Sequence, residues 1–168
     1  MRVLALCCAV VIAAPLGIGC STGGTYMSGG RQESDVDRGE TNGRMFDFVS
    51  NKPEGDDWQI RVRDSSLWAA YGDREDVTEL GTANLTKKET AKLWELVDAA
   101  EIPDRKKGKK DEDEGWVQLR LREPDEGEHD IFSVFISRAD AEEDEEVVSL
   151  AGYLQDLIQK HFKKTPEF

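Results

Sequence analysis

Residues 116–136 read WVQLRLREPDEGEHDIFSVFI, and this stretch decides the fold class. Trp116–Arg122 alternates between apolar and polar side chains, the period of a strand buried on one face. Pro124-Asp-Glu-Gly127 carries turn chemistry, and Ile131–Ile136 returns as a second strand. The pair reads as an antiparallel hairpin. Ile131–Ile136 is apolar on nearly both faces, which predicts a central place in the sheet.

The same period appears upstream. Trp58-Gln-Ile-Arg-Val-Arg-Asp64 sends Trp58, Ile60 and Val62 to one side and Gln59, Arg61 and Arg63 to the other. Asp64-Ser65-Ser66 supplies a turn, Leu67–Gly72 a returning strand, and Val77–Gly81 a further short one. Arg44–Ser50, with Phe46 and Phe48 on one side, predicts the first strand.

Two segments change to helical spacing. Thr86 followed by Glu89 forms a capping box, and Leu93, Leu96, Val97 and Ala100 continue as an apolar stripe that must stop before Pro103. From about Asp140 a second stripe runs through Val147, Leu150, Ala151, Leu154, Leu157, Ile158 and Phe162. Strand runs broken by single helices predict an α+β fold. The expected form is an antiparallel sheet of about five strands with two helices on one face, in the order β-β-β-α-β-β-α.

The first twenty residues, MRVLALCCAVVIAAPLGIGC, follow another logic. Arg2 gives a positive start, Val3–Leu16 an apolar run, and Gly17 and Gly19 a small-residue exit, the organisation of a secretory signal peptide. The run is shorter than the roughly 20 apolar residues a spanning helix needs. Leu16-Gly17-Ile18-Gly19-Cys20 resembles the lipobox of bacterial lipoproteins, with Gly17 in the place, three before the cysteine, where that family usually has leucine. The resemblance implies cleavage before Cys20, diacylglyceryl and acyl chains on that residue, and, with Ser21 next, sorting to the periplasmic side of an outer membrane where the host has one. Two or three chains hold a protein stably where one holds it marginally. Cys7 and Cys8 would leave with the leader, so a mature chain would keep only the alkylated Cys20. No disulfide or thiol chemistry would remain.

Three parts are therefore expected: a signal peptide at 1–19, the lipidated Cys20 with a flexible linker to 43, and one α+β domain at 44–168. A polar tether of about 22 residues has a root-mean-square reach near 25 Å, enough to clear lipid head groups.

The chain carries a net charge of −13 over 168 residues. That surface repels phosphate backbones and anionic head groups, so nucleic acid is not an expected partner and the domain should stand off the bilayer. Two acidic runs, Asp111–Glu114 and Glu142–Glu146, invite a cation reading. From Asp111 as first position, however, glycine falls fifth and Arg122 twelfth, which is not a calcium loop. The second run suits the start of a helix. The basic run Arg105–Lys110 adjoins the first acidic run and reads as a mobile, self-screened loop. His129 and His161 are the only histidines and read as surface or structural residues; zinc- and serine-hydrolase signatures are missing. No metal, cofactor or catalytic residue is assigned.

The one candidate binding surface joins Trp58, Trp68, Tyr71 and Trp116 to Arg61, Arg63, Arg120 and Arg122, the residue types that interface hot spots favour. The strand-turn-strand layout, the LTKKETAKL helix and the W-x-L-x-L hairpin look like small bacterial lipoproteins of uncharacterised function, a resemblance that implies no activity. The expected role is a non-enzymatic, lipid-anchored envelope module binding a protein or cell-wall component. The alternative is a secreted-hydrolase inhibitor offering the acidic 111–114 loop to a cationic enzyme, with an envelope enzyme using a carboxylate pair as a third reading.

Overall fold

The computed structural model describes residues 43–73, 76–125 and 128–168, with the side chains of 125, 128 and 129 left aside. The expected leader, Cys20, the linker up to 42 and the His129 side chain thus lie outside the described residues. Six strands and three helices follow in the order β1 (Met45–Asn51), β2 (Asp57–Arg63), β3 (Ser66–Gly72), β4 (Val77–Asn84), α1 (Lys87–Ala99), β5 (Trp116–Asp125), β6 (Glu128–Ser137), α2 (Arg138–Glu143) and α3 (Glu145–Phe162). The sheet is antiparallel throughout, in the order β4-β3-β2-β1-β5-β6. The fold is α+β, as the alternating and helical periods predict.

The strand at the centre is β1. Phe46 and Phe48 are fully buried there, paired in register with Val62 and Ile60 of β2 and with Leu121 and Leu119 of β5. Leu93 and Val97 of α1 and Leu150, Leu154, Leu157 and Ile158 of α3 close over this face to make one core. No helix among the described residues is long and apolar enough to cross a membrane.

Three expectations change. The apolar strand 131–136 belongs to β6, which lies at the sheet edge rather than at its centre. Phe132, Val134 and Ile136 face the core, but Ile131 is 53% exposed and Phe135 packs on the opposite face against Trp116, so apolarity on both sides here reflects a local aromatic cluster. Second, the strand expected at 77–81 runs on to Asn84 as a polar edge strand, giving six strands in all. A bulge opposite Ala69 and Ala70 breaks its alternation, with Gly81 at φ +93°. Third, the final helix divides at Asp144. That residue is extended and caps α3 by accepting from the Val147 N–H at 3.0 Å, while Arg105 grips the same carboxylate at 2.5 and 3.2 Å.

That grip also corrects the reading of 105–110 as mobile. Arg105 ties one end of the run to α3, and Lys110 ties the other by sitting 4.6 Å over the Trp116 ring. Between them Gly108 passes so close to β6 that a Cβ there would lie 1.9 Å from the Phe135 carbonyl oxygen. Backbone lying along an edge strand shields it from pairing with other chains.

The capping box forms as expected. Glu89 Oε2 accepts from the Thr86 N–H at 2.7 Å, and the Glu89 N–H donates to the Thr86 hydroxyl at 3.3 Å. Glu89 also bridges to the end of α3, where Lys160 Nζ lies at 2.7 Å and His161 Nε2 at 3.1 Å. Lys160, the Thr86 hydrogen bonds and His161 hold this carboxyl far below the usual carboxylate range. A lowered folded value stabilises at pH above about 4.3, where the unfolded carboxyl ionises, and that contribution drains away as acid approaches the folded value. Glu89→Gln is therefore expected to lower the melting temperature at pH 7, with the gap to the parent narrowing at pH 3. Melts at the two pH values check this.

Candidate functional site

The strand alternation that builds the core also builds the opposite face. Opposite the helices, β1 presents Met45, Asp47, Val49 and Asn51, β2 presents Asp57, Gln59, Arg61 and Arg63, and β5 presents Trp116, Gln118, Arg120 and Arg122. Register then lines residues up across strands. One row runs Trp68, Arg61, Asp47, Arg120 and Ser133, and the next runs Arg63, Met45, Arg122 and Ile131.

Six of the eight residues expected on a binding face share this side: Arg61, Arg63, Trp68, Trp116, Arg120 and Arg122. Trp58 and Tyr71 do not. They point into the helix-covered side, where their rings stack at 5.0 Å and Trp58 is only 2% exposed. Strand parity separates them: Trp58 shares its side of β2 with Ile60 and Val62, and Tyr71 sits opposite Trp58 across the β2–β3 pair. Phe168 adds an edge-on contact to Trp58 at 6.1 Å and to Phe48 at 4.9 Å, so both aromatics belong to the core.

The residue that sequence reasoning missed is Asp47. It lies directly between Arg61 and Arg120, and Arg61 Nε donates to its Oδ1 at 2.6 Å. At 1% and 9% exposure the two form a buried ion pair in the middle of the face. Burial pushes the Asp47 carboxyl up from its ordinary value, while Arg61, Arg120 and Arg122 pull it the other way. Asp47 stands between Phe46 and Phe48, so alternation assigns it to the polar side. Only strand register reveals that three arginines gather around it.

Several polar atoms on this face are buried with no hydrogen-bond partner among the described residues: Asp47 Oδ2, Gln59 Oε1, Arg61 Nη1 and Trp116 Nε1. Buried polar groups are normally paired, because each one left alone costs about 1–3 kcal/mol. The corner of the face is aromatic, with Trp116 edge-on to Phe135 at 5.4 Å and Lys110 over both rings. What such a surface can do is recognise: arginines and indoles for anionic or planar groups, amides for hydrogen bonds.

Two other places complete the survey. An open cleft of about 430 Å³ is lined by Lys52, Pro53, Glu54, Arg138, Glu142 and Phe168, a balanced set of two cations and two carboxylates. The acidic loop is locally ordered, since Asp111 Oδ1 accepts from the N–H groups of Asp113 and Glu114 at 3.1 and 3.0 Å, leaving Glu112, Asp113 and Glu114 exposed. Among the described residues no group of three or more His, Cys, Asp or Glu side chains is placed to hold a metal ion. Neither a protein-family model nor a curated protein matches the sequence.

Proposed function

We propose that this chain is an exported lipoprotein, held at a membrane by lipid on Cys20, and that its domain is a non-enzymatic module that binds a protein or cell-wall component through the sheet face opposite the helices. The leader ending in Gly19-Cys20 supports the anchor, and Ser21 supports the periplasmic side of an outer membrane. The observation that carries the binding role is the register itself. It gathers Arg61, Arg63, Arg120, Arg122, Trp68 and Trp116 on one side of four adjacent strands in a chain whose net charge is −13. A basic and aromatic patch on so acidic a protein is expensive to keep for solubility alone, and it matches the composition of recognition surfaces.

Crosslinking in the native envelope, followed by capture of the chain, tests the role. The informative variant is Arg63→Glu with Arg120→Glu, because neither side chain is the buried partner of Asp47 and the fold should survive. Capture of the partner is expected to be lost while the melting temperature stays within a few degrees of the parent. Capture that persists would place the contact surface elsewhere.

The inhibitor reading draws its support from the ordered turn at Asp111, which holds three exposed carboxylates on a fixed frame. It makes the opposite demand. Neutralising Glu112, Asp113 and Glu114 would abolish inhibition of a cationic hydrolase, and the arginine variant would leave it intact.

A further inference from the structure

We infer that the acidic segment Glu33–Glu40 of this same chain (ESDVDRGE) docks on the arginine face of the sheet and competes there with the external partner. The inference rests on reading that face as the contact surface, and assigns its regulation.

Three observations converge on this occupant. The first is where the chain enters the domain. Met45 opens β1 in register with Arg63 on one side and Arg122 on the other, so residues just before it emerge at the basic face. The entry point is fixed: Arg44 pairs with Asp98 and Glu123 and lies 4.7 Å from the Trp94 ring, and Gly43 sits against the Asp64 carboxylate beside Arg63.

Charge is the second. Glu33, Asp35, Asp37 and Glu40 supply four carboxylates in eight residues, with Arg38 the single cation among them. They meet four arginines of which Asp47 neutralises at most one. No other acidic residue lies upstream of β1. Reach is no obstacle, since ten extended residues span about 33 Å and the distance from β3 to β5 is three strand spacings, about 14 Å.

Burial is the third. Met45, Val49 and Ala70 are between 0% and 8% exposed although all three lie on the side opposite the helices, and Asp47 Oδ2 and Gln59 Oε1 are buried there without partners among the described residues. An open sheet face should wet such groups; a covering segment with an apolar side chain, Val36, between its carboxylates would account for both.

Arginine modification of the full chain in detergent micelles tests the docking. Phenylglyoxal is the probe, and the rates at Arg63, Arg120 and Arg122 are read by peptide mass spectrometry. The variant E33Q/D35N/D37N/E40Q is expected to react several-fold faster than the parent at 20 mM NaCl. In 1 M NaCl, where screening shortens to about 3 Å, the parent should approach the variant. Equal rates at low salt would overturn the docking, as would an equal acceleration in the control E112Q/D113N/E114Q, which changes net charge but not the segment. Failure of the proposed function is distinguished by the partner-capture assay, which reads Arg63→Glu with Arg120→Glu and requires nothing of residues 33–40.

Discussion

Replacing Asp47 by alanine is expected to destabilise the domain by about 3–5 kcal/mol, the cost of leaving one member of a buried ion pair without its partner. The side chain itself is small and fills little volume. The loss comes from Arg61, which is 9% exposed and would keep its charge with Arg120 and Arg122 as neighbours and no carboxylate between them. Urea unfolding reads this as a lower midpoint at unchanged slope. Removing both charges is a different experiment. Asp47→Leu with Arg61→Met fills the same space with apolar atoms, and most of the lost stability should return, because a buried pair often contributes little beyond its own desolvation. An Asp47→Ala protein within about 1 kcal/mol of the parent would mean that solvent reaches the pair.

Phe48→Ala is the second large effect, again about 3–5 kcal/mol, and its origin is a closed cavity rather than a charge. Phe48 sits at the centre of the central strand, fully buried, with Ile60 and Leu119 in register on either side and the Phe168 ring 4.9 Å away. Neighbours on both sides are held by strand hydrogen bonds, so the site cannot collapse to fill the space. Phe168→Ala offers the contrast. That ring is only partly buried, solvent can follow its removal, and the cost should be about 1–2 kcal/mol. Equal losses from the two substitutions would show that the tail, and not the sheet, holds the core together.

The parts of this fold that are legible in the sequence are those set by local rules. Alternation in WQIRVRD and WVQLRLR fixes which side each residue takes, and the Thr86–Glu89 spacing fixes where α1 starts. What escapes is whatever depends on pairing at a distance. Asp47 is one outward acid among many until register sets it between Arg61 and Arg120. The break at Asp144 depends on Arg105, 39 residues earlier. The edge position of β6 is hidden because Phe135 is buried by Trp116 and Lys110 instead of by a neighbouring strand. Trp58 and Tyr71 fail as surface residues for the opposite reason: residue type suited an interface, but parity had already assigned Trp58 to the core.

The account places this domain at a membrane surface, and every functional statement about its binding face presumes that address. Intact-mass measurement of the chain isolated from its native host tests it most directly. The expected species begins at Cys20 and carries the added mass of a diacylglyceryl group and an amide-linked acyl chain. A chain that begins at any other residue, or a Cys20 that still reacts as a free thiol, would contradict it.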